Sequence, residues 1–284
     1  MNYTIPMIII ISLIIIVLII IYLYFENNAI QITNIDVKDP IIPNSFNDFK
    51  IVHISDLHNK EFGKNQQNII AKIKEINPDI IVITGDIIDS YDTNVQISAD
   101  FINGISKIAP VYYVTGNHES RILDDYVSLK TQMQTAGIHV LENEFITISN
   151  GNDKINIIGM NDPSFDFLKL TGSTDEEIVA TNLNGLTEDL KGYNILLSHR
   201  PELIDIYASF NINLVFSGHA HGGQIRIPFI GGIIAPNQGL FPKYTSGLYE
   251  VKNTKMVVSR GLGNSAFPIR INNRPEIVVV RFKK

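Results

Sequence analysis

The chain has 284 residues, with 23 Lys and Arg against 29 Asp and Glu, a formal net charge of −6, and no cysteine. That charge, with no long basic run, excludes the electrostatic footprint of a general nucleic-acid binder. The missing cysteines exclude disulfides, thiolate metal sites and cysteine nucleophiles together, so any metal chemistry rests on His, Asp, Glu and Asn.

From Ile5 to Phe25 no residue is charged, and Ser12 is the only strongly polar side chain. About 20 apolar residues rising roughly 1.5 Å each match a hydrocarbon core of roughly 30 Å, so residues 1–25 are predicted to form a transmembrane anchor. Pro6 suits a first helical turn, and Tyr22 and Tyr24 suit an interfacial belt. A cleaved signal peptide is the rival reading, but it calls for a basic start and a shorter apolar core, and neither is present. The prediction is a single-pass membrane protein. Its orientation stays open, because only Lys38 and Lys50 lie within reach of the span. Residues 26–48 follow as a lead-in strand, "AIQITNIDV", and a Pro-punctuated linker, "KDPIIPNSF".

From Phe49 onward apolar strands alternate with helical periods. "FKIVHIS" is a β-branched run, and "KNQQNIIAKIKEIN" aligns Ile69, Ile70, Ile73 and Ile76 on one helical face before Pro78. "DIIVIT", a helix over 95–108, "VYYVT", a helix over 123–136 capped by Gly137, and "IHVL" continue the pattern. The second half is richer in strands. "FITIS" and "KINIIGM" flank a hairpin at "NGND", followed by "YNILLS", "INLVFS", "SGLYEV" and "KMVVSR". These elements predict an α/β fold, a mixed β-sheet sandwich flanked by helices, occupying residues 49–284 as one domain.

Metal-capable residues follow five of these strands directly: Asp56 and His58, Asp86, Asn117 and His118, His199, then His219 and His221. In open α/β sheets the C-terminal strand edge is where ligands bind. Five of the seven histidines sit there, a sorting that simple strand capping does not explain. In an extended segment residues i and i+2 point to one side, so Asp56 and His58 are expected to converge. The two oxygens of Asp86 suit it to bridge two ions roughly 3.5–4 Å apart. Glycines 85, 116, 218, 222 and 223 are expected to turn the backbone and leave room for a ligand. Imidazole, carboxylate and amide donors favour Mn, Fe, Zn, Co or Ni over Mg or Ca.

"SDLH", "TGD", "GNHE", the isolated His199 and "GHAHGGQ", in this order over residues 49–227, resemble the signature blocks of the calcineurin-like metallophosphoesterases. The later "SRGLGNSAFPIRINNRPEI" is similar to the tail of the membrane-associated bacterial branch with the YkuE- and YaeI-like phosphoesterases. The resemblance implies that fold, and two divalent metal ions as cofactors. Asp56, His58 and His221 would hold one ion, Asn117, His199 and His219 the other, with Asp86 bridging. It also implies hydrolysis of a phosphate ester or pyrophosphate by hydroxide held between the ions, with His118 assisting the leaving oxygen.

The expected partner is a phosphorylated small molecule or lipid, nucleic acid not being expected. Some relatives cleave the pyrophosphate of a nucleotide-linked acylated sugar, which is the substrate-level alternative; an apolar groove between Phe229 and Phe241 would favour it. A non-catalytic metal-stabilised phosphate-binding module is the competing class, and it has no need of His118. Arg121 is the substrate-contact candidate, with Arg200, Arg226 and Arg270 behind it. Glu119 is expected to support its loop, while His53 and His139 read as structural.

Overall fold

The computed structural model describes residues 4–264 and 267–284; residues 1–3 of the predicted anchor, and Ser265 and Ala266 of the C-terminal motif, lie outside them. The helices are α1 (Thr4–Asn28), α2 (Gln67–Ile76), α3 (Val95–Ile105), α4 (Leu123–Thr135), α5 (Asp175–Thr187) and α6 (Ile204–Tyr207). The first nine strands are β1 (Gln31–Lys38), β2 (Lys50–Ile54), β3 (Ile80–Thr84), β4 (Val111–Val114), β5 (His139–Val140), β6 (Glu144–Asn150), β7 (Asp153–Gly159), β8 (Tyr193–Leu197) and β9 (Leu214–Ser217). Four two-residue strands follow, β10 (Arg226–Ile227), β11 (Gly231–Gly232), β12 (Ile234–Ala235) and β13 (Gly239–Leu240), then β14 (Gly247–Val251), β15 (Thr254–Val258) and β16 (Glu276–Lys283).

Two six-stranded mixed sheets form, ordered β1-β16-β2-β3-β4-β5 and β14-β15-β9-β8-β7-β6. Side chains alternate between faces along each strand, which fills three apolar layers. Ile51, Val82, Tyr112, Ile157, Leu197, Phe216 and Val280 meet between the sheets. Val52, Ile83, Tyr113 and Val279 face α2, α3 and α4 on one outer side. Ile158, Leu196, Val215 and Met256 face α5 and α6 on the other. Strands covered on both faces explain the continuous apolar runs of the sequence.

The predicted lead-in strand is β1, which pairs with β16 in parallel over all eight residues and closes the first sheet. Helix α2 starts later than its period suggested, because Asn65 and Gln66 adopt φ 53° and 61°; it ends on left-handed Asn77, before Pro78. Gly137, at φ 81°, terminates α4 as expected. The hairpin at Asn150–Asp153 is also present.

The elements that escaped the sequence reading are α5, α6, the short strands β10 to β13, and β16. Helix α5 has a weak apolar stripe and an interior Gly185, although the capping box of Thr174 and Glu177 marks its start. Strand β16 lay hidden behind the Pro- and Asn-rich stretch that precedes it.

Helix α1 contains a span, Met7–Asn28, with mean hydropathy 3.3, long and apolar enough to cross a membrane. None of its apolar 18-residue window is buried in the fold, as expected of a helix that is apolar all round and not part of a protein core; Glu26, at the end of the span, is buried against the domain. Within the domain, β2, β3 and β4 run parallel in one sheet and β8, β9 and β15 in the other. The loops after these strands build the site.

Candidate metal centre

Every predicted metal-site residue arrives at this rim. Asp56, His58 and His221 form one cluster, and Asp86, His199 and His219 another, with donor atoms in each lying within 4.8 Å of one another. Oδ2 of Asp86 stands between them, 3.2 Å from His199 Nε2 and 3.6 Å from His58 Nε2. Its Oδ1 accepts the backbone N–H of His118 at 2.8 Å, which fixes the carboxylate plane. Asp56 Oδ1 lies 3.5 Å from His221 Nε2 and 4.0 Å from His58 Nε2. The backbone N–H of His219 donates to Asp56, coupling the loops of the two sheets.

The local backbone explains this convergence, and it corrects two sequence expectations. Asp56 and His58 do not converge through an extended segment. Both sit at positive φ, 53° and 46°, as do Asp86, His219 and His221. Non-glycine residues rarely adopt this region, and such conformations concentrate at functional sites where the surrounding structure enforces them. The glycines do not make clearance for a ligand either. A Cβ on Gly218 would meet Ser55 Oγ at 1.8 Å, and one on Gly116 would meet Asp86 Oδ1 at 2.2 Å. Their missing side chains let the loops pack against the carboxylates.

The donor set fits divalent cations. Asn117 Oδ1, both ring nitrogens of His58 and Nδ1 of His221 are buried without a hydrogen-bond partner, a state that ordinarily costs stability unless something binds there. His199 Nδ1 bonds the Thr84 carbonyl at 2.7 Å, which turns Nε2 toward His219 Nδ1 at 3.1 Å. Fixing one ring nitrogen on a carbonyl so that the other can ligate is the usual support for a metal-binding histidine.

The electrostatics agree with the geometry. Burial pushes the Asp56 carboxyl up to about 6, partly opposed by His199. Burial acts likewise on Asp86, but His199, His58 and His118 outweigh it and hold that carboxyl well below the usual range. On His199 burial disfavours the charged ring, yet Asp86 and Asp56 draw it up to about 10. Burial takes His58 down to about 4. It also drives His219 and His221 well below the ordinary histidine value, helped by repulsion from His199 and His58 respectively. Three imidazoles thus remain neutral donors, the form that binds a metal. At the fourth, a cation beside Asp86 competes with the proton on His199.

His118 stands at the edge of the cluster, its ring centroid 4.5 Å from that of His58. Its Nδ1 accepts the Ser90 backbone N–H at 3.1 Å and lies 3.4 Å from Asp89 Oδ1. Asp89 Oδ2 is also 3.7 Å from His58 Nδ1, so this carboxylate faces both rings. Burial lowers the His118 pKa, but Asp89 and Asp86 reverse the effect and leave it raised. Glu119 supports its loop as expected: buried, it accepts the backbone N–H groups of Asp86, Ile87 and Gly116 at 2.8–3.0 Å.

A cavity of about 270 Å³ opens over the cluster, lined by Asp86, Tyr91, Asn117, His118, Arg121, Ser164, Arg200, His219, His221, Pro236 and Asn237. Arg121 reaches its rim, exposed, with its guanidinium 5.9 Å from the Tyr91 ring centroid. The other arginines are engaged by the protein. Arg200 binds Asp162 through two bonds of 2.7 and 2.8 Å and Asp175 at 2.8 Å. Arg226 donates to the Gly222 carbonyl and to Thr245. Arg270, fully buried, donates to the Arg260 and Gly263 carbonyls. His53 is buried between the sheets beside Phe216, and His139 stacks on Tyr112, both structural roles.

Asp89, Tyr91 and Asn237 were missed. Asp89 and Tyr91 come three and five residues after Asp86 in "GDIIDSY", a proximity that can be read from the chain. Nothing in the sequence marks Asn237, whose amide lies 3.0 Å from Glu202 and 3.4 Å from His219 Nε2.

Residues 49–223 match the calcineurin-like phosphoesterase family. The chain belongs to that family. Its members are hydrolases, and the fold, the clustered His and Asp residues and the strand-end loops are those the sequence blocks implied. The chain is 34% identical over 265 residues to the uncharacterized metallophosphoesterase YkuE of Bacillus subtilis, covering 92% of this chain and 88% of the relative. It is 30% identical over 260 residues to a Danio rerio protein described as a transmembrane protein with metallophosphoesterase domain, covering 88% of this chain and 57% of that one. Among solved structures, the NAD nucleotidase of Haemophilus influenzae superposes with a TM-score of 0.50 at 16% identity, over 75% of this chain and 45% of that one, a likeness of fold alone.

Proposed function

We propose that this phosphoesterase is a membrane-anchored enzyme with a dinuclear metal centre that hydrolyses phosphate esters or pyrophosphates. The observation that carries the reading is the position of Asp86 Oδ2, shared between His199 at 3.2 Å and His58 at 3.6 Å. Asp56, His58 and His221 would hold one ion and Asn117, His199 and His219 the other, with Asp86 common to both; Mn, Fe, Zn, Co and Ni suit these donors. When bound, such ions supply Lewis acidity toward phosphoryl oxygens and lower the pKa of water to near neutrality.

The chain's own residues do the rest. In the neutral ring His118 Nδ1 accepts from Ser90 N–H and the one proton sits on Nε2. The acid form is the charged ring, with a proton on each nitrogen, whose Nε2–H passes to the departing oxygen and returns the ring to neutral. Asp89 stabilises the charged ring that accompanies this role. Arg121, exposed at the rim and held there only by a 3.5 Å contact to the Tyr91 hydroxyl, would take phosphoryl oxygens of the substrate by charge-assisted hydrogen bonds. The length and hydropathy of α1 support the anchor, as does the transmembrane description of the Danio rerio relative.

The test uses the full chain in detergent, loaded with Mn²⁺ and assayed on p-nitrophenyl phosphate and its diester. His118→Ala is expected to lower kcat by a factor of roughly 10²–10⁴ with metal content unchanged. Undiminished activity in the variant removes the role given to His118. Absence of metal-dependent turnover on every phosphate ester and anhydride, lipid-borne ones included, leaves a phosphate-binding module instead.

A further inference from the structure

Outside α1, 17 bulky apolar side chains are more than a third exposed among the described residues, and eight of them fall within residues 227–241 and 267–269. They include Phe229, Ile230, Leu240, Phe241, Phe267 and Ile269. So dense an apolar exposure on two short loops marks an interaction surface, since scattered single residues are the norm.

These two loops are fastened to the end of α1. The Tyr22 hydroxyl donates to Asn272 Oδ1 at 2.8 Å, and Asn27 exchanges hydrogen bonds with the Arg270 backbone in both directions. Asn273 N–H donates to Glu26 at 2.8 Å. The 270–273 segment in turn holds the base of the ribbon formed by β10 and β11: Asn272 Nδ2 donates to the Arg226 carbonyl at 3.1 Å, and Arg226 N–H donates to the Ile271 carbonyl at 3.0 Å. Tyr22 lies within the last turn of the uncharged span, roughly 5 Å along the axis from Phe25. The base of the ribbon is therefore level with the boundary of any bilayer that α1 crosses, and Phe229 comes three residues after it.

The charge pattern fits the same neighbour. Residues 224–249 and 260–275 contain no Asp or Glu but five bases, in a chain whose net charge is −6. Of these bases, Lys243 is exposed, and Arg226 and Arg274 are half-buried. Aromatic and aliphatic side chains flanked by bases are the composition that settles into an anionic headgroup layer.

We infer that Ile227–Phe241 and Phe267–Ile269 form a second membrane contact, seated in the headgroup layer of the bilayer that α1 crosses; this rests on the anchor proposed above. The cavity over the metal cluster shares Pro236 and Asn237 with this segment. Its opening therefore lies beside the headgroups, within reach of phosphate groups borne on lipids.

The chain has no cysteine, so single variants Phe229→Cys, Phe241→Cys and Phe267→Cys each carry one environment-sensitive fluorophore. The full chain is reconstituted into phosphatidylcholine–phosphatidylglycerol vesicles, with and without lipids bearing a nitroxide high on the acyl chain. Ile14→Cys reports on α1, and Phe145→Cys, exposed on β6, serves as the aqueous reference. Expected are blue-shifted emission and loss of signal to the nitroxide at 229, 241 and 267, as at 14, with neither effect at 145. Quenching at 14 combined with aqueous emission at 229, 241 and 267 overturns the second contact while leaving the anchor intact. Aqueous emission at 14 overturns the anchor and this contact with it.

Discussion

Replacing Arg200 by Met tests the electrostatic support behind the second cluster. Arg200 comes directly after His199, and its guanidinium grips Asp162 with both partners almost fully buried. Asp162 in turn ties to the β4 loop, through its own N–H donated to Thr115. Met fills much of the arginine stem's volume but leaves Asp162 with the Ser164 N–H at 2.9 Å as its remaining local donor. Breaking a buried pair from one side costs about 3–5 kcal/mol, because the stranded charge cannot reach water. The lower figure is expected here, since that donor remains. At about 2–4 °C per kcal/mol, 3 kcal/mol lowers Tm by roughly 6–12 °C.

Adding Asp162→Asn removes the stranded charge, so the double variant should be more stable than Arg200→Met alone. The pH dependence has a definite sign. Burial raises the Asp162 pKa, but Arg200 outweighs it and holds the carboxyl below its ordinary value. A depressed acid contributes its stability above its unfolded pKa, near 3.9, and loses it as pH falls through the folded value. In Arg200→Met burial is left largely unopposed and raises the Asp162 pKa. The gap between wild type and variant should therefore begin to narrow as pH falls through that raised value and go on narrowing below about 4, where wild type loses its own contribution. A Tm loss under about 2 °C for Arg200→Met, or a double variant that merely sums the two single losses, would refute the reasoning.

Other outcomes concern the site itself. His219→Ala and His221→Ala should each reduce bound metal from two ions to one, leaving different ions, as read by elemental analysis and by Mn²⁺ electron paramagnetic resonance; two variants with identical spectra would contradict the split. Asp89→Asn should move the alkaline limb of the pH–rate profile to lower pH. Asp89 raises the pKa of His118, and a general acid loses activity as pH rises through that pKa. An unmoved alkaline limb would detach Asp89 from proton transfer.

Much of the site could be read in the chain because parallel strands deliver it in order. Each strand is a recognisable apolar run, and the loop after it lies at the rim whatever the exact register. The means of convergence could not be read so well. Left-handed conformations at Asp56 and His58 are accompanied by contacts such as Gly263 N–H to the Asp56 carbonyl at 2.6 Å, from a loop about 200 residues away in the chain. The arginines show the same limit. Arg121, Arg200, Arg226 and Arg270 look alike in sequence, and only tertiary pairing with Asp162, Thr245 or backbone carbonyls separates the three buried or half-buried ones from Arg121, which makes only an exposed 3.5 Å contact to the Tyr91 hydroxyl. Helix α5 and strand β16 were lost to weak periodicity and to a preceding irregular stretch, not to any conflict of propensity.

The carboxylate of Asp56 meets the backbone of His219 across 163 residues of chain. Donors for each cation cluster come from both sheets, so neither cluster exists until the sheets have docked. Any ion held there binds the closed sandwich and not the open chain, and at a thousand times its Kd it adds about 4 kcal/mol to stability. Closure and occupancy are then one equilibrium seen from two ends. Phe216→Ala, at a side chain buried between the sheets beside His53, should weaken metal retention without touching a ligand. Chelation should loosen the docking of the sheets without touching the core.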